Sequence, residues 1–317
     1  MSRTVLAYGE LLWDLLPSGA VLGGAPFNFV YRVNSLGHRG VMVSRLGRDD
    51  LGNRTLEIVL ELGLETGYLQ RDPVHPTGTV EVRFDEKKNP EYRIIPDVAY
   101  DFIEPTDNLH ELAAEAECLC FGTLIQRREG SRSTLYRLLD NFSGKFALLD
   151  INLRPDCYTR RSIRESIRRA DILKLNDGEA DLLAKIYGVR QDGNSLDPGR
   201  FADSLFARSG LRYIVLTLGE RGAFAASRDG QKVYHPAFSV QLRDPVGAGD
   251  AFTAAFLDAL LNEQTLAEAC RFANAAGALV ASQEGATQPL DRARIEAFLR
   301  SAEPGPVEED CRGYLLP

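Results

Sequence analysis

Short apolar runs alternate with longer amphipathic ones along nearly the whole chain. TVLAYG (Thr4 to Gly9), VMVSRLG, CLCFG, ALLDIN, ILKLN and YIVLTLG have the length of buried strands. Between them, APFNFVYRVNSLG, LGNRTLEIVLELG, STLYRLLDNF, SIRESIRRA and GEADLLAKIYG repeat apolar residues at helical spacing. Pro26 suits a first helical position, and Gly37 suits a left-handed stop. Strands alternating with helices of this length predict a parallel sheet with helices on both faces, its strands buried on both sides. DAFTAAFLDALL, LAEACRFANAAGALVAS and DRARIEAFLRSA read as the last helices, and FSVQLRD, ahead of them, reads as strand-like. The acidic, Pro- and Gly-containing tail EPGPVEEDCRGYLLP predicts a loosely held end.

One region breaks the rhythm. TGTVEVRFDEKKNPEYRIIP (Thr77 to Pro96) alternates with period two about DEKKNP, which predicts a hairpin with one polar face. LLWDLLPSGAVLGG (Leu11 to Gly24) also reads as extended and joins it. These pieces are too small for a core of their own. They predict a discontinuous β lid, residues 14–22 and 73–99, on a main α/β domain of residues 1–13, 23–72 and 100–317. The expected fold is a three-layer α/β/α sandwich with a mostly parallel central sheet and that small lid.

Composition narrows the partners. A chain of 317 residues, 44% hydrophobic, buries a sizeable core. A net charge of -8 argues against nucleic acid, which needs a basic face. The five cysteines show no zinc-type spacing, and Cys118 and Cys120 sit in an apolar run where thiols pack as small hydrophobes. They suggest a reducing, cytoplasmic setting. MSRT leads straight into a strand pattern with no signal segment, and no apolar stretch has membrane-spanning length.

DPVGAGDAF (Asp244 to Phe252) carries the chemistry. A Gly-Ala-Gly turn at a helix start points free N–H groups and the helix dipole at one spot, which makes an anion site. An acid there stands where a phosphoryl group would arrive and can take a proton from an attacking hydroxyl. Alone, the fragment reads better as an ordinary turn with Asp250 as an N-terminal helix cap, a common arrangement. It is neither a Walker loop nor a dinucleotide fingerprint, which disfavours a nicotinamide enzyme.

Four more motifs occur in order: GGAPFNFVYRVNSLG, GRDDLG, NDGE (Asn176 to Glu179) and TLGERG (Thr217 to Gly222). With DPVGAGDAF they make the chain resemble the ribokinase-like (PfkB) family of sugar kinases along nearly its whole length. The resemblance implies the ribokinase-like fold, ATP and magnesium as cofactors, and roles by position. Asp250 matches the general base, and the amides of Gly247, Ala248 and Gly249 match the anion hole. Asp14, Gly24 and Asn28 match groups that hold sugar hydroxyls. Asn176 and Glu179 match the motif that organises magnesium and phosphate through water. Thr217, Gly219 and Gly222 match the nucleotide-phosphate side, Asn274 and Gly285 the nucleotide pocket, and Asp244 a monovalent-cation site, where potassium is the implied ion. Pro245 stands where the family usually has Thr, and Phe27 and Phe29 where small residues are usual.

GELLWDLLP is similar to the GE-x-x-x-D-x-x-P start of fructokinases. DINLRPDCY resembles a motif shared by fructokinases and 2-keto-3-deoxygluconate kinases, and FGTLIQR a strand end of bacterial fructokinases. Ligands bind at strand ends in open α/β sheets, so Gly122, Thr123, Asn152 and Arg154 are expected to line the sugar pocket. The reading is an ATP-dependent fructokinase acting on the 6-hydroxyl. The alternatives are a 2-keto-3-deoxygluconate kinase using Arg154 or Arg93 for the carboxylate, another sugar or nucleoside kinase of the family, and a non-catalytic sugar-binding regulator. Lids of this family often pair between subunits, which suggests a homodimer.

Overall fold

The computed structural model describes residues 2–17, 19–84, 90–189 and 196–315. The predicted hairpin turn around Lys87 and Lys88 lies outside the described residues. In chain order the strands are β1 (Thr4–Tyr8), β2 (Leu12–Leu16), β3 (Gly19–Gly23), β4 (Arg39–Gly47), β5 (Leu69–Asp72), β6 (Gly78–Phe84) and β7 (Pro90–Ile94). They continue as β8 (Cys118–Phe121), β9 (Phe146–Asp150), β10 (Ile172–Asn176), β11 (Tyr213–Thr217), β12 (Ala223–Ser227) and β13 (Lys232–His235).

Among the described residues, nine strands form the main sheet in the order β13-β12-β11-β10-β9-β8-β1-β4-β5. All its pairings are parallel except those of β12 and β13, which add an antiparallel edge. Its central strands read as unbroken apolar runs because alternate residues enter different cores. Val5, Ala7, Cys118, Cys120, Phe146 and Leu148 pack on one face with the helices Ala25–Ser35, Ala248–Leu261 and Leu266–Ala281. Leu6, Tyr8, Leu119, Phe121, Ala147 and Leu149 enter the other, under the helices Asp107–Glu115 to Pro198–Phe206. All five cysteines are free and buried.

The segment around Trp13 does join the hairpin. Together they make a four-stranded sheet, β3-β2-β6-β7, in which β2 runs parallel to β6 and antiparallel to β3. Trp13 is the chain's single tryptophan and is 1% exposed. Its indole N–H reaches Thr55 Oγ1 at 2.9 Å and Arg54 lies over its ring, so it seats this sheet on the helix Asp50–Glu61 of the main domain.

Two expectations are corrected. FSVQLRD is no strand: among the described residues Phe238 meets Pro304 in an isolated bridge that no ladder continues, and the chain runs on exposed through Gln241 to Arg243. The tail is not loose. Glu309–Tyr314 forms a 3-10 turn that buries Cys311, Tyr314 packs edge-on against Phe224, and its hydroxyl donates to Asp197 at 3.0 Å.

Candidate active site

The site lies across the C-terminal ends of β1, β8, β9, β10 and β11, where an open parallel sheet leaves its crevice. One wall is the start of the helix Ala248–Leu261, with Gly247 as its N-cap at φ 78. Only glycine fits there, since a Cβ on Gly247 would stand 2.5 Å from that of Ala286. The amides of Gly247, Gly249 and Asp250 have no acceptor among the described residues, as expected of an open anion site. Ala248 departs from the expectation: its amide closes a turn onto Pro245 O at 3.2 Å.

Asp250 sits in the first turn of that helix and is held from across the crevice. Asn28 Nδ2 donates to its Oδ2 at 2.8 Å. Asn28 is placed by the helix Ala25–Ser35, which Gly24 starts at φ 121 with no room for a side chain, since a Cβ would meet Glu10 O at 2.6 Å. Burial and the neighbouring Asp150 push the Asp250 carboxyl up to about 6, against the pull of Asn28, Lys174 and Arg154. That value suits a base working near neutrality.

Behind Asp250 lies an ion pair that sequence reasoning missed. Lys174 Nζ contacts Asp150 at 3.2 Å, and Thr253 Oγ1 donates to Asp150 Oδ2 at 3.0 Å. Burial works against the Lys174 charge, but Asp150, Asp250 and Glu179 outweigh it and raise its pKa. Lys174 also abuts the amide turn, 3.3 Å from where a Gly249 Cβ would stand. The signal was present: Lys174 is a lone charge inside the apolar strand ILKLN, and Asp150 heads DINLRPDCY.

Asn176 and Glu179 form a capping box on the helix Asp177–Tyr187. Glu179 Oε2 accepts the Asn176 amide and Oε1 the Leu153 amide, both at 2.8 Å, and burial raises its pKa. Asn176 pairs in register with Thr217, whose hydroxyl donates to Leu175 O; Gly219 and Gly222 make the following turn. Asp244 Oδ1 accepts from the Val246 amide and Oδ2 from the Gly285 amide, each at 3.0 Å. Asn274 is spent on packing: its amide donates to His235 O at 2.9 Å and Pro236 O at 3.2 Å. Among the described residues, no group of three or more His, Cys, Asp or Glu side chains is placed to hold a metal.

At the other end, Gly122, Thr123 and Asn152 line one cavity with Glu10, Pro26, Phe29 and Asp150. The Thr123 hydroxyl is buried and donates to Ile151 O at 2.8 Å, so it ties strand ends together. Asn152 takes φ 38, an unusual conformation for a side-chain-bearing residue. Glu10 was also missed as a candidate. It is 5% exposed, its Oε2 has no partner among the described residues, and burial pushes its pKa up to about 7. Asp14 on β2 and exposed Arg154 each lack a hydrogen-bonding side-chain partner among the described residues. They do act on each other: burial raises the Asp14 pKa, and Arg154 opposes the rise. Arg93 pairs across the hairpin with Glu81 at 3.9 Å.

The family profile described as pfkB family carbohydrate kinase matches residues 19–293. Fructokinase-1 of Zea mays is 28% identical over 90% of this chain and 94% of its own length. A fructokinase from Xylella fastidiosa, solved with ATP, superposes at a TM-score of 0.82 over 95% of this chain and 99% of that one, at 20% identity, a likeness of fold. A double mutant of the Vibrio cholerae O395 fructokinase, solved with fructose, ADP and potassium ion, superposes at 0.78 with 25% identity, over 94% of this chain and 98% of that one.

Proposed function

Since the chain belongs to the pfkB family of carbohydrate kinases, we propose that it transfers the γ-phosphoryl group of ATP to the 6-hydroxyl of fructose. One observation carries the reading. Asp250 is a desolvated carboxylate fixed by Asn28 beside open backbone donors, with Asp14 and Asn28 on the sugar side. Asp250 takes the proton from the sugar hydroxyl as its oxygen attacks the γ-phosphorus. The bond to the bridging β–γ oxygen breaks, and ADP leaves. The amides of Gly247 and Gly249, with Lys174 behind them, meet the charge on the transferred group. Magnesium bound with ATP supplies charge neutralisation at the phosphates. Glu179 already takes an amide on each oxygen and Asp150 pairs with Lys174, so the site fits an ion that keeps water and phosphate ligands.

The GE-x-x-x-D start and the fructokinase relatives favour fructose. Arg154, exposed and electrostatically coupled to Asp14 and Asp250, with no hydrogen-bond partner for its guanidinium among the described residues, favours a second reading, a sugar bearing a carboxylate. ADP release with Mg-ATP over fructose, ribose, 2-keto-3-deoxygluconate and nucleosides separates them. Fructose is expected to give the highest kcat/KM, with the product phosphorylated at C6 by NMR. A preference for the keto-acid would replace fructose. Sugar-dependent heat stabilisation without turnover would make the chain a binder.

A further inference from the structure

The helix Ala25–Ser35 sends two polar side chains, one turn apart, toward the phosphoryl end of the site. Asn28 holds Asp250. Arg32, four residues on, is 2% exposed and makes no ion pair with a carboxylate among the described residues. A buried cation without a counter-ion is costly, so its contacts need a reason. Nη1 donates to Gln288 O and Nη2 to Ala286 O, each at 2.5 Å, and the Tyr31 ring lies 5.2 Å from the guanidinium. Burial lowers its pKa to about 10, and Tyr31 and Asp250 oppose the fall, so it stays charged at neutral pH.

Both carbonyls belong to the loop after the helix Leu266–Ala281, and that loop bears on the amide turn in two ways. The Gly285 amide donates to Asp244 Oδ2, and Ala286 backs directly onto Gly247. Arg32 therefore presses on the anion site through a single intermediate layer. The cation that the resemblance implies beside Asp244 does not fit the residues present. Both Asp244 oxygens already accept amides, Pro245 offers no hydroxyl, and the Ala286 and Gln288 carbonyls already face a guanidinium.

We propose that Arg32 is a positioning residue that performs, with a fixed guanidinium, the task of a bound monovalent cation. It holds the Ala286–Gln288 loop against Gly247, keeps the turn's amides aimed at the transferred phosphoryl group, and makes turnover independent of potassium. The proposal rests on the family's kinase activity and not on the choice of fructose.

Initial rates are compared in buffers whose sole monovalent cation is potassium or tetramethylammonium. The wild-type rates are expected to agree within about twofold, and a tenfold or larger potassium stimulation overturns the proposal. Arg32→Ala is expected to lower kcat about tenfold or more while the sugar KM moves less than about threefold, with partial recovery in millimolar guanidinium. A kcat within about twofold of wild type, or a folded variant that guanidinium does not restore, counts against it. If Arg32→Ala does not fold, Arg32→Lys replaces it, expected to be slower than wild type yet still potassium-independent; potassium dependence overturns the proposal. The wild-type melting temperature, read without substrates in the two salts at equal ionic strength, is expected to be the same. A potassium-specific rise of several degrees would reveal an ion site and sink the idea. This last measurement still decides about Arg32 if no sugar in the panel is phosphorylated.

Discussion

The two ends of the active site are built on opposite plans. At the phosphoryl end each charged group is engaged: Asp250 with Asn28, Asp150 with Lys174 and Thr253, Glu179 with two amides. At the sugar end, among the described residues, Asp14 and Arg154 act on each other only through their charges, with no hydrogen-bond partner for either side chain, and Glu10 keeps one buried oxygen without a donor. The first plan fits a reaction whose demands never change, where groups fixed in advance need no rearrangement in the transition state. The second fits recognition, because buried polar groups that only the right ligand satisfies reject the wrong one strongly.

Mutations at the two ends should therefore fail differently. Asp250→Asn is expected to cost about a hundredfold or more in kcat while sugar binding, read by calorimetry, persists. The same variant should melt higher than wild type at pH 8. Asp250 binds its proton more tightly when folded, so its favourable contribution is present at low pH and is lost as pH rises through about 6. Lys174→Met leaves Asp150 buried without its partner and should remove about 3 kcal/mol of stability by urea unfolding, together with most of the activity. Asp14→Ala should raise the sugar KM about tenfold to a hundredfold, with a smaller change in kcat and none in the KM for ATP. An equal loss in kcat would place Asp14 in the rigid end and erase the contrast. Last, kcat/KM for sugar should level off above about pH 6 and fall about tenfold per unit below it, as Asp250 protonates. A profile flat to pH 5 would remove the base assignment.

Local pattern disclosed the parts of this site that are local. The alternation of apolar runs marked the strands, Pro26 and Gly37 marked a helix, and GAGD marked an open helix start. What escaped depends on which strand ends meet. Lys174 and Asp150 lie 24 residues apart, and only the β9–β10 pairing makes them an ion pair. Arg32 reads as an ordinary charge on an amphipathic helix until the loop near residue 286 folds back over it. FSVQLRD has strand chemistry but pairs at a single point, Phe238 with Pro304, and Tyr314 needs the groove beside Phe224 to become an anchor. Asn274, read as a nucleotide-pocket wall, shows how one amide serves helix packing equally well.

The chain carries a built-in optical gauge. Because its one indole is clasped between the small sheet and Thr55, any tilt of that sheet on ligand arrival must alter the surroundings of a single fluorophore. Emission from Trp13, excited at wavelengths that the eleven tyrosines do not absorb, would then follow closure in real time with no dye attached.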